Sequence, residues 1–196
     1  HRMTASQVFG IPFEMVPPQM RSRAKAINFG IVYGISAFSL AQDIHTTVKE
    51  AKQYIDDYLK TYSGVAAYMH QSVEKARELG YVETIFHRPR QLPDINSKKP
   101  ALRGFSERVA MNMPIQGTAA DIIKLAMIRV WQRLRKEGLR SRLILQVHDE
   151  LLVEAALEEA DLVEEIVRTE MENAVQLSVK LETDVHRGEN WYLAKG

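Results

Sequence analysis

The chain has 196 residues, 45% of them hydrophobic and 26% charged, which suits one large domain or two small ones with an apolar core of ordinary size. The absence of cysteine excludes disulfides and thiolate metal sites. No apolar run approaches the ~18 residues of a membrane span, and the polar N-terminus carries no secretory signal, so a reduced cytoplasmic setting without membrane contact is the expectation. The net charge of +1 conceals blocks. Five cations from Arg88 to Arg103 face Asp94 alone, and seven from Lys124 to Arg142 face Glu137 alone. Such stretches fit local contact with a polyanion. The ten acids between Asp149 and Glu172, set against Arg168, read as a solvated helix face.

The sequence starts at His1 without an initiator Met, as a processed product or a fragment would. Thr4–Phe9 reads as a short helix with Thr4 as its cap, broken by Gly10 and Pro12. Pro17 and Pro18 then stand at the start of a helix over Arg21–Gly34, RSRAKAINFGIVYG. Arg21, Lys25, Phe29 and Tyr33 recur there at i+4. Each step overshoots a turn by about 40°, giving a slowly spiralling stripe roughly 18 Å long, cationic at one end and aromatic at the other. A nucleoside triphosphate has the same polarity, a charged tail and a flat base. Ala24, Ile27 and Ile31 lie on a different face and pack inward. Gly30 inside a helix costs about 1 kcal/mol relative to Ala, which implies a close approach there, and Gly34 is placed to end the helix. By spacing alone, the same pattern describes an ordinary core helix.

Ser36 opens a short helix to about Asp43. Thr47–Tyr62 follows, capped by Thr46 or Thr47 with Glu50 in reach for a capping box, and then Val65–Leu79, ended by Gly80. YVETIF reads as a strand, and HRPRQLPDI completes a hairpin with Arg88 and Arg90 near its tip. Asn96–Pro100 is a basic loop. Ala101–Asn112 and Ile115–Gly138 are helical patterns separated by Pro114, which should kink or break one long helix. Arg108, Asn112 and Gln116, at i+4 and i+8, can present donors on one face; they can equally cap and bridge the kink. In Arg142–Ala155, LILQV and LLVEA flank His148-Asp149-Glu150, a hairpin whose turn carries adjacent carboxylates. Both runs are apolar on both faces, so the sheet should be covered. Carboxylates fixed at such a tip suit a hard cation, although Asp is common in turns anyway. Glu158–Val175 is an acidic amphipathic helix, and Leu181–His186 reads as a final strand.

Three of these segments resemble one family. RSRAKAINFGIVYG is similar to motif B of the family A DNA polymerases, the bacterial polymerase I type: Arg, three residues, Lys, three residues, Phe, three residues, Tyr-Gly. ERVAMNMPIQGTAAD resembles the segment that lies along the primer-template minor groove. QVHDELLVE resembles motif C. HRMTASQVFGIP and the closing GENWYLAKG match as well, so the likeness covers essentially the whole chain, and its C-terminus reads as the family's natural end. One departure is His87-Arg88-Pro89-Arg90, where family members commonly carry Gly-Arg-Arg-Arg.

The resemblance implies an α+β fold: mostly helical fingers over residues 1–105, and the second half of a palm over 106–196 whose antiparallel sheet segment carries a metal-binding hairpin. It implies template-directed DNA synthesis from dNTPs on primer-template DNA. Arg21, Lys25, Phe29, Tyr33 and His1 would bind the nucleotide, with Lys25 also catalytic. Arg108, Asn112, Gln116 and His148 would contact the DNA. Asp149 would ligate Mg²⁺, one of two ions in the assembled site, with Glu150 beside it in a lesser role. The family's motif A, Asp-Tyr-Ser-x-x-Glu-x-Arg, and its thumb are absent from these residues. An upstream polymerase segment is therefore the expected partner, and the chain alone is expected to be inactive; half a palm sheet would leave an unpaired edge and an apolar face. Two other readings compete with this one. A metal phosphohydrolase would set His-Asp on a helix with further histidine ligands, and the remaining histidines (1, 45, 70, 87 and 186) have no ligand spacing. A non-catalytic duplex-DNA-binding or accessory module would keep the DNA face and tolerate loss of Asp149.

Overall fold

A computed structural model of the chain describes residues 1–195. Its internal contacts define two compact units, His1–Ile115 and Gln116–Gly196. In the first, α1 (Arg2–Phe9), α2 (Pro18–Val32), α3 (Ala37–Asp43) and α4 (Val48–Thr61) enclose one core, with Ile27 and Leu40 fully buried in it. Beside it, α5 (Ser63–Leu79), a hairpin of β1 (Tyr81–Glu83) and β2 (Pro89–Gln91), and the first part of α6 (Pro100–Lys136) gather around Val82, Leu92, Ala110 and Met113. In the second unit, the end of α6 and α7 (Ala160–Glu172) pack through Val130, Leu134 and Ile166 against the hairpin of β3 (Arg142–Val147) and β4 (Glu150–Glu154). A short α8 (Trp191–Ala194) closes the described chain. The two hairpins are separate two-stranded antiparallel sheets. The fold is therefore α+β and mostly helical.

Local signals set most boundaries. The capping box at α4 forms in full: Thr47 Oγ1 accepts from the Glu50 amide, and Glu50 Oε2 accepts from the Thr47 amide. Thr46 Oγ1 donates to the same carboxylate at 2.5 Å, so the Glu50 pKa is lowered to about 2, first by Thr46 and then by Thr47. A carboxyl depressed in the folded state contributes stability above its unfolded pKa and loses it as pH falls toward the folded value. Thermal melts should accordingly show the wild type losing more stability than Glu50→Gln between about pH 4.5 and pH 2, with equal losses contradicting the cap.

Several expectations are corrected. Thr4 is not a cap: α1 begins two residues earlier, and Thr4 is buried within it, accepting from Asn28 Nδ2 at 3.1 Å. YVETIF is strand only through Glu83; Thr84–Arg88 turns, with His87 at φ 61. Arg88 lies in that turn and Arg90 lies in β2, opposite Val82. Pro114 does not end a helix, because α6 runs through it for 37 residues. Ala110 and Met113 are buried in the turn before it, and Tyr68 Oη donates to the Met111 carbonyl at 3.1 Å, tethering that turn to α5. Tertiary packing thus outweighs the hydrogen bond that proline removes. Leu181–His186 forms no strand; its alternating pattern finds no ladder partner among the described residues. The β3–β4 sheet is not fully covered either, since Ile144 and Leu145 are exposed beside an irregularity in register. The acidic helix is shorter than expected, a 3₁₀ turn at Leu157–Glu159 preceding α7.

Candidate functional site

Two sites lie in the two units, and each is described by itself. In the first, α2 buries Ala24, Ile27 and Ile31, which turns the Arg21–Lys25–Phe29–Tyr33 stripe outward. Phe29 and Tyr33 each remain 48% exposed. Among the described residues, neither Arg21 nor Lys25 forms an ion pair, so both cations are available to an anion. His1 joins this face: its ring lies 5.6 Å from that of Phe29, and its Nδ1 is 2.8 Å from Asn28 Nδ2.

The end of α2 is a tightly built turn. Gly34 has φ 67, its amide donates to the Ile31 carbonyl, and the Ile35 amide donates to the Gly30 carbonyl at 2.8 Å. A Cβ at Gly30 would meet Ile35 Cγ2 at 2.8 Å, so the close approach inferred at Gly30 comes from the chain's own next turn. At Gly34, a Cβ would meet Met111 Cε at 2.8 Å and Arg108 Cγ at 2.9 Å. This turn brings Arg108 to Phe29 and Tyr33, and with Ser36, Ser39 and Asp43 they line a cavity of about 580 Å³. Asn112 Nδ2 donates to the Val32 carbonyl at 3.3 Å, satisfying one of the orphan acceptors at the helix end. Gln116 is exposed on the same helix and belongs to the second unit. Sequence reasoning missed Asn28, which ties both His1 and Thr4 to α2, and it missed Arg108 as a companion of the aromatics. An Asn amid helix-forming residues was the only available sign of the former.

In the second unit, Val147 pairs with Glu150, leaving His148-Asp149 as the turn, with His148 at φ 53. Gln146 Nε2 donates to the His148 carbonyl at 2.5 Å and stiffens the bend. Asp149 is exposed, and among the described residues its carboxylate has no hydrogen-bond or ion-pair partner. Glu150 is engaged instead: Oε2 accepts from Trp191 Nε1 at 3.4 Å, and Oε1 lies 3.8 Å from Lys195 Nζ. Both acids border a cavity of about 730 Å³, also lined by Ile123, Val153, Leu181 and Val185. Among the described residues, no group of three or more His, Asp or Glu side chains gathers to hold a metal ion. The donor set therefore fits a hard cation chemically, as an available oxygen ligand on a fixed turn, but supplies only part of a coordination shell. Below this hairpin, Glu159 accepts from the Arg140 and Ser141 amides and from Ser141 Oγ, pinning the entry to β3. Among the described residues, no helix is long and apolar enough to cross a membrane.

The chain belongs to DNA polymerase family A, whose family model matches residues 1–193. It is 54% identical over 195 residues to DNA polymerase I of Caldicellulosiruptor bescii, a match covering all of this chain and 23% of that protein. Against the thermostable DNA polymerase I of Thermus thermophilus it is 46% identical over 196 residues, again all of this chain and 23% of the relative. Its fold matches the polymerase domain of Pol1 from M. smegmatis, solved in complex with DNA primer-template and dNTP, with TM-score 0.95 and 44% identity, covering 100% of this chain and 35% of that one. The chain thus spans less than a quarter of the length of these curated relatives.

Proposed function

We propose that this chain carries the nucleotide-binding helix and one metal-binding hairpin of a DNA-directed DNA polymerase, completed by an upstream segment that supplies motif A and the thumb. Residues 1–105 are its fingers portion and 106–196 the second half of its palm. The observation that carries this reading is the stripe on α2: two cations without an ion pair among the described residues and two half-exposed aromatics, held outward by a buried Ala24–Ile27–Ile31 face, in a chain of this family. The related mycobacterial domain was solved with primer-template DNA and dNTP, the partners this reading requires.

In the reaction, the primer 3′-oxygen attacks the dNTP α-phosphate and pyrophosphate leaves. Arg21 and Lys25 bind the triphosphate with His1 beside them. Both cations offset its growing negative charge, and Lys25 donates a proton to the leaving pyrophosphate. Phe29 packs on the sugar and base. Tyr33 holds the place of the templating base until α2 closes on a correct pair. Arg108, Asn112 and Gln116 read the minor-groove acceptors shared by every base pair, which tests fit without regard to sequence, and His148 lies near the primer terminus. Asp149 would hold Mg²⁺ together with carboxylates of the upstream segment, and Glu150 is its neighbour. When bound, the two ions would supply charge stabilisation to the reacting oxygens.

Phe29 makes a specific test available. The family resemblance ties Phe at this position to rejection of dideoxynucleotides and Tyr to their acceptance. Phe29→Tyr in the assembled enzyme should raise dideoxynucleotide termination, read on a sequencing ladder; an unchanged ladder would remove Phe29 from the sugar.

A further inference from the structure

We propose that α8 is a positioning clamp on Glu150, which holds that carboxylate through Trp191 and Lys195 and leaves Asp149 as the cation ligand the turn presents. The proposal rests on the reading of Asp149 given above and adds a role for the chain's last described residues. Glu150 is met on both oxygens from the two ends of one short helix, by the indole of its first residue, Trp191, at 3.4 Å and by the ammonium of Lys195, the residue that follows the helix, at 3.8 Å. Lys195 also lies 5.8 Å from the centroid of the Trp191 ring, so the two side chains act from one place. Asp149, one residue earlier, has no such partner among the described residues. Adjacent carboxylates on one turn are thereby made unequal: one charge is compensated from within the chain and the other is not.

The chain is built to put α8 there. A Cβ on Gly188 would stand 2.5 Å from the Ala194 amide nitrogen and 2.7 Å from the Leu193 carbonyl carbon, backbone atoms that a side chain cannot displace cheaply. Only glycine lets the last turn fold back this closely. Asn190 Oδ1 then caps the helix by accepting from the Leu193 amide at 3.0 Å. If the clamp is released, Glu150 becomes a second oxygen ligand beside Asp149, and a hard cation binds more tightly to the pair.

The test has two readouts, made on this chain with Mn²⁺ as the probe ion. In a Trp131→Phe background, Trp191 emission should shift red and become more open to acrylamide in Glu150→Gln, Lys195→Met and Gly188→Ala, with circular dichroism unchanged. Mn²⁺ affinity, from the free-ion electron paramagnetic resonance signal, should tighten about two- to fivefold in Lys195→Met and Gly188→Ala, the scale of one exposed ion pair. Lys195→Arg should return both readouts to wild type, which loss of mere packing would not explain. Trp191 emission indifferent to Glu150 and Lys195, or equal Mn²⁺ affinity in wild type and Lys195→Met, would overturn the clamp. Asp149→Ala separates the two layers: if it leaves Mn²⁺ binding intact, the ligand assignment fails, whatever Trp191 reports.

Discussion

Replacing Asp149 with Ala, in the chain assembled with an upstream segment carrying motif A, is expected to lower primer extension by about a thousandfold. The magnitude follows from the several kcal/mol of charge stabilisation that a positioned divalent ion supplies, at about 1.4 kcal/mol per factor of ten. Among the described residues, the Asp149 carboxylate has no hydrogen-bond or ion-pair partner, whereas its neighbour Glu150 is engaged by Trp191 and Lys195. Asp149 is exposed at a two-residue turn, fixed in direction by the β3–β4 pairing and by the bond from Gln146 to the His148 carbonyl. The substitution should leave the melting temperature nearly unchanged, since an exposed side chain without partners moves stability by about half a kcal/mol at most. Steady-state extension rates and thermal melts on the same preparation check both halves. A DNA-binding module without catalysis predicts the opposite pattern, Asp149→Ala being neutral in every assay.

Lys25→Ala is expected to lower kcat for single-nucleotide incorporation by about a hundred- to a thousandfold, the usual consequence of removing one group aimed at developing charge. The helix itself should persist, because Ala is the best helix former and Lys25 is solvent-exposed on α2. The split between kinetic constants carries the information. A lysine that only tethers the triphosphate would raise KM with kcat unchanged, whereas one that offsets charge in the transition state lowers kcat. Rapid-quench measurements across a range of dNTP concentrations separate these outcomes.

Much of the first site could be read from the sequence because its information is local. The inward Ala24–Ile27–Ile31 face, the Thr47–Glu50 box and the glycine ends at Gly34 and Gly80 all rest on neighbours within a few residues, and each forms as expected. The His148-Asp149 turn was legible for the same reason, its flanking strands being strongly β-rich. The close approach at Gly30 was legible and its source had a local signal as well: Gly34-Ile35 places a hydrophobe where a helix ending of this kind packs it against the last turn. What failed was long-range. Pro114 obeyed Tyr68, 46 positions earlier by numbering, rather than the local proline rule. Leu181–His186 alternates as a strand would, but a strand exists only with a partner to pair with, and no local pattern supplies one. The tie from Trp191 to Glu150 spans 41 residues and left no trace in spacing or composition.

A chain that provides one part of a shared polymerase active site needs the other part to act. Mg²⁺-dependent primer extension separates the possibilities, run with this chain alone and with the chain mixed with an upstream family A segment bearing motif A and the thumb. Extension is expected only in the mixture, lost again with Asp149→Ala. Extension by the chain alone would contradict a shared site by requiring a second set of metal carboxylates within these residues. No extension in either reaction, from folded chain that binds duplex DNA, would replace the polymerase reading with that of a binding module.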